Sequence, residues 1–250
     1  MNDPDYGPNP LSVELFDTRH CLEFGEQLNM FENMIFGPDF SCAYKCFLPW
    51  VESGSLFYAA VCGEAVEGRS AILSVASVLI TDNESRERLM RGEIHDTQLV
   101  PWAGRGGEPV AYLSSIVSAY PAHLRAVYDC LAKDIEAFLE ARKVQLRSGF
   151  CVATGPSGFR HLAKSGFVPV AGPQYLGKYD IMTIEAASAR TAFWQRVFKL
   201  TEPVARDSDT VLILRSPTPS EERQERDEAT EVEGRLSELK AVRCRKLLDC

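Results

Sequence analysis

The stretch Gly158-Phe-Arg-His-Leu-Ala-Lys-Ser-Gly-Phe-Val-Pro-Val170 is the most recognisable structural signal in this chain of 250 residues. Ser157, just before it, can cap a short helix, and Gly166 can end that helix because glycine readily adopts a left-handed backbone conformation. Bulky apolar residues predict strands on both sides, at Phe150–Ala153 and at Tyr179–Glu185. The region therefore predicts a strand, a short helix and a further strand.

The residues before this region predict a strand that runs directly into a long amphipathic helix. The strand is Val110–Ser118, and Pro121 stands where a helix can begin, because the amide that proline lacks needs no partner there. Apolar residues then recur at helical spacing as far as Arg142. They are Leu124, Val127, Leu131, Ile135, Phe138 and Leu139.

Two apolar runs nearer the N-terminus, Leu56–Cys62 and Ala71–Thr81, predict an antiparallel hairpin with its turn at Gly63–Gly68. The polar segment between Asp82 and Glu108 predicts a short helix and a mobile loop.

The order of elements indicates the fold class. Ser12–Phe16 predicts a first strand, and the apolar spacing within Cys21–Phe36 predicts the helix that follows it. Strands and helices then alternate irregularly along the chain. This order predicts an α+β fold in which helices cover a sheet.

Composition and charge exclude several classes of function. Hydrophobic residues make up 45% of the chain and charged residues 25%, as in ordinary globular proteins. The net charge of −8 repels phosphate backbones, so nucleic acid is not expected as a partner. No apolar run approaches the length of about 18 residues that crosses a bilayer. Met1–Pro10 contains no basic residue, unlike a signal peptide, so we expect a cytoplasmic protein.

The eight cysteines are expected to be reduced thiols in a chain without an export signal. Cys42 and Cys46 form the close pair within the main body of the sequence, and no histidine lies within a few residues of them. A structural metal site usually shows two such pairs, so no metal is expected.

Several segments together resemble the second half of the GNAT superfamily of N-acetyltransferases. They are the strand Val110–Ser118, the helix after it and, above all, the ending Lys164-x-Gly-Phe167 of the short helix. Tyr179–Glu185 is similar to the last core strand of that family. The resemblance implies a GNAT-like, mixed and mostly antiparallel sheet flanked by helices. It also implies transfer of an acyl group from acetyl-coenzyme A, or another acyl-coenzyme A, to an amine on a small molecule or a protein.

The resemblance divides the chain into four segments. We expect residues 1–11 to be a flexible N-terminus, 12–186 the GNAT-like acyltransferase domain, 187–215 a helix-strand extension and 216–250 a charged tail. Residues 221–238 carry eight acids and three arginines, a composition that cannot offset the entropy lost on ordering.

The same resemblance implies a donor site where the strands at 110–118 and 150–154 splay apart. Backbone amides at the end of the first strand would hold the pantetheine arm and polarise the thioester carbonyl: Ile116, Val117 and Ser118. Amides that begin the next helix would hold the pyrophosphate: His123, Leu124, Arg125 and Ala126.

Two features depart from the family pattern. The phosphate loop of the family carries closely spaced glycines, whereas this chain has Tyr120-Pro-Ala-His-Leu-Arg-Ala126, where only Arg125 and His123 can replace them with side-chain contacts. Leu162 stands where the family often has a tyrosine that protonates the leaving thiolate. These departures favour a GNAT-fold binding or regulatory module without catalysis. An acyl group carried on acyl carrier protein is a further alternative, since that donor needs no nucleotide cradle.

The proton-transfer groups are therefore sought elsewhere in the sequence. His161 can protonate the thiolate because imidazole titrates near neutral pH, and a role as an ordinary helix-surface residue is the alternative. Glu108, just before the strand, and the pair His95-Asp96 are candidates for the base that accepts the amine proton.

Overall fold

The computed structural model describes residues 13–65, 69–104, 107–118 and 121–199, whose strands form one sheet in the order β1-β2-β3-β4-β5-β7-β6. The neighbours β4 and β5 run parallel and all other pairs are antiparallel. The strands are β1 Val13–Phe16, β2 Leu56–Ala65, β3 Arg69–Asp82, β4 Pro109–Ser118, β5 Ser148–Ala153, β6 Val168–Pro169 and β7 Asp180–Glu185. This mixed, mostly antiparallel sheet confirms the predicted fold class.

Helices cover both faces of the sheet. They are α1 Thr18–Glu23, α2 Gly25–Phe36, α3 Leu48–Glu52, α4 Asn83–Met90, α5 Pro121–Arg142, α6 Pro156–Ser165 and α7 Ala192–Val197. Residues of α5, α6 and α7 form one buried core with the sheet, and residues of α1 to α4 form another on the opposite face. Alternate residues of β4 serve the two cores: Ala111 and Leu113 the first, Val110 and Tyr112 the second.

The hairpin of β2 and β3 and the succession of β4 and α5 are confirmed, but the single helix predicted over Cys21–Phe36 is wrong. Two helices occupy that stretch, with Phe24 between them. The Asp17 side chain caps α1 by accepting the amide of His20 at 3.1 Å, so this helix starts early. Gly25 then begins α2 against the ring of Tyr44, which leaves no space for a Cβ.

The predicted ends of α6 are half right. Gly166 ends the helix with φ of 104°, as expected. Ser157 does not cap it, because the helix begins at Pro156 with Gly155 at the cap position. The fixed φ of Pro156 suits the first helical position, so the proline sets the start.

The segment after Ala186 packs into the same core as the preceding domain. Phe193, Trp194, Val197 and Phe198 are all buried there. Four predicted segments lie outside the described residues: the part of the helix-strand extension beyond Lys199, the charged tail, the N-terminal segment 1–11 and part of the hairpin turn. Within the described ranges, no helix combines the length and apolar character that a membrane span requires.

Candidate functional site

The parallel strands β4 and β5 separate part-way along their length. Among the described residues they are paired at three positions, Ala111 with Gly149, Tyr112 with Phe150 and Leu113 with Cys151. Beyond Leu113, β4 continues to Ser118 paired with β3 on one edge and faces the opening on the other. The splay predicted between 110–118 and 150–154 is therefore confirmed.

A cavity of 810 Å³ occupies this opening and is lined from both faces of the sheet. Leu124 of α5, with His161 and Leu162 of α6, lines what we call the α6 half. Glu32 of α2 and Phe40 from the loop after it line the opposite part, the α2 half. A reaction in this cavity can therefore draw on groups from two separate layers of the fold.

A bulge in β4 determines which side chains face each half. Ser77 of β3 pairs with Ser115 and Val78 pairs with Leu113, so Ser114 is an extra residue in β4. Because side chains alternate along a strand, the bulge brings Ser115 to the α2 face, where Tyr112 also lies. The Ser115 hydroxyl there bonds to Glu32 and lies 2.8 Å from the Ser77 hydroxyl.

Glu32 is a buried carboxyl group at the wall of the α2 half. Its side chain accepts hydrogen bonds from the hydroxyls of Ser115 and Tyr58, the latter at 3.2 Å. Burial raises the pKa of Glu32 to about 7, although both hydrogen bonds act in the opposite direction. Glu32 was not among the candidates from the sequence. The sequence pattern that could have identified it is a glutamate within the apolar face of a predicted helix. Glu32 stands one helical turn after Leu28 and one turn before Phe36.

His161 lies half-buried at the wall of the α6 half, so it is not an ordinary surface residue. Its Nε2 atom lies 2.8 Å from the Tyr128 hydroxyl of α5, and the Tyr128 ring stacks on Phe193 at 4.8 Å. Burial, and to a smaller extent the charge of Lys164, lowers the pKa of the His161 imidazole. The neutral ring is therefore favoured at neutral pH.

The residues predicted to hold the pantetheine arm, Ile116, Val117 and Ser118, all line the cavity. Their backbone lies on the part of β4 that has left β5. The Ser118 hydroxyl is 2.7 Å from that of Ser74, which fixes the end of β4 to β3. The structure thus brings this predicted group to the splay.

The four residues predicted to hold the pyrophosphate all lie in the first turns of α5, which begins at Pro121. Their backbone amides differ in availability. His123 is among the first three helical residues, whose amides point out of a helix end, whereas Leu124, Arg125 and Ala126 lie further in, where a helix uses its amides internally. Leu124 lines the cavity. The side chain of Arg125 is 92% exposed and 4.0 Å from the carboxylate of Asp129. Residues 119 and 120 of the predicted phosphate loop lie outside the described residues.

The candidates for the base are placed differently. Glu108 is exposed before β4, and its carbonyl accepts the amide of Asn83. Eight residues of extended strand, about 25 Å, separate it from Ile116, so the structure does not bring Glu108 to the cavity. Asp96 does line it and accepts a hydrogen bond from the Tyr112 hydroxyl at 3.1 Å, while His95 lies 2.6 Å from its other carboxyl oxygen.

Comparisons with known proteins give matches among solved structures only; no family model and no curated protein matches the sequence. Arabidopsis thaliana NAA60 in complex with acetyl-CoA is 14% identical, with a TM-score of 0.41 over 69% of this chain and 96% of that chain. Arylalkylamine N-acetyltransferase 2 from Aedes aegypti is 13% identical, with a TM-score of 0.37 over 71% and 99%. The NatC complex bound to Gag peptide and CoA is 10% identical, with a TM-score of 0.40 over 70% and 98%. The strand order and the splay after Leu113, taken from this chain itself, make its fold GNAT-like.

Proposed function

We propose that this protein is an N-acyltransferase that moves an acyl group from an acyl-coenzyme A thioester to an amine. The splay of β4 from β5 carries this proposal, because it exposes the edge of Ile116–Ser118 inside a cavity open to both faces of the sheet. The pantetheine arm contains two amide groups and can pair with such an edge as an added strand would. The thioester then lies where β4 and β5 part.

The reaction requires an uncharged amine at this point. Glu32 faces the cavity, and a carboxyl group with a pKa of about 7 is half ionised at neutral pH and can accept the proton of an ammonium group. The free amine nitrogen attacks the thioester carbonyl, the carbon–nitrogen bond forms and the carbon–sulfur bond breaks. The second amine proton passes to water as the amide forms, and Glu32 returns the first proton to solvent when the product leaves.

The departing thiolate takes up a proton on the other face of the sheet. His161 of α6 is our candidate for the acid that supplies this proton. Its side chain lines the cavity, and its Nε2 atom lies beside the Tyr128 hydroxyl. Because burial lowers the pKa of His161, its protonated form is scarce at neutral pH and increases as the pH falls. Its contribution as an acid should therefore be largest in mildly acidic solution. The sequence-based candidate Glu108 has no part in this scheme.

The start of α5 supports a second candidate donor. The amides of Leu124, Arg125 and Ala126 lie within the helix, and the guanidinium of Arg125 is exposed, so the nucleotide end of coenzyme A has few partners among these residues. A phosphopantetheine arm attached to a carrier protein has no nucleotide, so its affinity would not depend on these residues. The donor must therefore be identified by experiment.

Calorimetric titration of the full chain with acetyl-coenzyme A, acylated carrier protein and free coenzyme A tests the proposal. We expect one of the two acyl donors to bind, and mass spectrometry to detect an acylated amine on addition of an acceptor. Binding of neither donor would refute acyl transfer. Binding without transfer to any amine would instead support the non-catalytic module.

A further inference from the structure

The α2 half of the cavity restricts which amines can enter it, an inference that rests on the proposed acyl transfer. Five aromatic residues contribute to its walls beside the polar side chains of Asn29, Asn33 and Thr97: Phe36, Phe40, Phe47, Tyr112 and Tyr179. The Phe40 ring is central, since it lies 4.9 Å from the ring of Tyr179 and 5.8 Å from that of Tyr175. Such walls bind flat apolar groups by removing them from water.

Carboxyl groups supply the charge in this half. Glu32 and Asp96 both line it, whereas Arg160, the arginine among the described lining residues, belongs to α6 on the other side of the sheet. Of the neighbouring cations, Lys178 forms an ion pair with Asp39, and His95 pairs with Asp96 itself at 2.6 Å. The uncompensated charge of this half is therefore that of Glu32, whose bonds are to the hydroxyls of Ser115 and Tyr58. An ammonium group is therefore favoured here, whereas a carboxylate or phosphate would meet like charge without a compensating cation.

Hydrogen bonds hold the tyrosine rings beside this half in place. The Tyr179 hydroxyl donates to Asp39 at 2.6 Å, and the Tyr175 hydroxyl donates to Asp96 at 3.0 Å. These bonds fasten the segment between β6 and β7 to the loop after α2 and to the segment before β4. The cavity of 810 Å³ must also hold the donor arm, so a compact amine fits better than a long peptide.

We propose that the acceptor is a small primary amine attached to an aromatic or similarly flat apolar body, without a carboxylate. The ring would lie against Phe40 and Tyr179, and the amine would point towards Glu32 and the thioester.

Acetylation of four amines from acetyl-coenzyme A by the full chain tests this inference. The amines are 2-phenylethylamine, ethylamine, phenylalanine and a hexapeptide with a free N-terminus. Mass spectrometry measures each product, since the cysteines of the protein would react with thiol reagents, and rates are compared per concentration of uncharged amine. We expect kcat/KM for 2-phenylethylamine to exceed that for ethylamine by about thirtyfold, from burial of the ring, and that for phenylalanine by at least about tenfold.

The outcomes separate this inference from the proposed function. Equal values for 2-phenylethylamine and ethylamine, or faster acetylation of phenylalanine or the peptide, would overturn the acceptor class while acyl transfer stands. Failure to acetylate any of the four by a protein that binds acetyl-coenzyme A would also overturn it. Failure to bind any acyl donor would refute the proposed function itself.

A pair of variants locates the effect in the cavity. Phe40→Ala should lower the ratio of kcat/KM between 2-phenylethylamine and ethylamine by about tenfold. Phe24→Ala removes a half-buried phenylalanine that does not line the cavity, and should leave that ratio unchanged. Phe40→Leu serves as a milder replacement if the alanine variant melts early. An unchanged ratio in a folded Phe40 variant would contradict the proposed position of the ring.

Discussion

Replacement of Glu32 by glutamine tests the proposed base through both stability and catalysis. The Glu32 carboxyl is buried, and its pKa rises from 4.5 to about 7 in the folded protein. The folded state therefore binds more protons than the unfolded state between these two values. The free energy of unfolding must then decrease as the pH rises through this window, because ionisation is easier in the unfolded chain.

A difference of about 2.5 pKa units corresponds to about 3 kcal/mol. Glutamine cannot ionise, so Glu32→Gln should match the wild type near pH 4.5 and exceed its stability by up to about 3 kcal/mol at pH 8. Urea unfolding followed by tryptophan fluorescence at several pH values measures this, since Trp50, Trp102 and Trp194 are all buried. Glu26→Gln, at an exposed position of the same helix, is the matched control.

Activity should change in the opposite direction. The wild-type rate should rise with pH around 7 as Glu32 ionises, and Glu32→Gln should lower kcat/KM by about 10²- to 10⁴-fold and abolish that rise. A stability difference that is independent of pH would show that Glu32 does not titrate near 7. A rising limb near pH 7 that persists in the variant would show that another group accepts the proton.

Three further predictions concern the α6 half and its supports. His161→Ala should slow transfer by about ten- to a hundredfold near pH 6 and by less near pH 8, because the acid form of this half-buried imidazole is abundant only at low pH. The affinity for the donor should not change. An equal loss of rate at both pH values would rule out the role of His161 as an acid. Arg125→Ala should weaken binding of acetyl-coenzyme A by about three- to tenfold at low salt, measured by calorimetry, since an exposed guanidinium contributes modestly to phosphate binding. Binding of pantetheine alone should not change. Equal weakening of both ligands would contradict a phosphate contact. Gly166→Ala should destabilise the protein by about 3 kcal/mol or more in thermal melts, because φ is 104° and the new Cβ would strike the carbonyl of Ser188. Gly158→Ala, where a new Cβ meets open space, should be neutral or slightly stabilising. Similar melting of the two variants would show that the backbone near Gly166 relaxes.

Features that depend on local pattern were predictable from the sequence. The spacing of apolar residues in Pro121–Arg142 fixes a helix, two apolar runs fix the hairpin, and Gly166 marks a helix end. Each of these signals is carried by residues close together in the sequence, where backbone geometry determines the pattern.

The partners inside the cavity were not predictable in this way. Glu32 meets Ser115 across 83 positions of sequence, and this contact depends on the bulge at Ser114. A bulge changes which face a serine occupies, and strand register cannot be read from a single strand. The pair His95-Asp96 is a candidate base from the sequence, but the bonds of Asp96 to Tyr112 and Tyr175 depend on the folded sheet.

The pairing of β4 and β5 at three positions would also couple the abundance of this protein to the proposed acyl donor. A donor that bridges the two strands would supply the hydrogen bonds that the separated parts of β4 and β5 do not make with each other. It would bind only the folded chain. At a concentration one hundred times its Kd, such a ligand adds about 2.7 kcal/mol to the free energy of unfolding. Proteases act on transiently opened chains, so a cell depleted of acyl donor would degrade this protein faster than a cell in which the donor is plentiful.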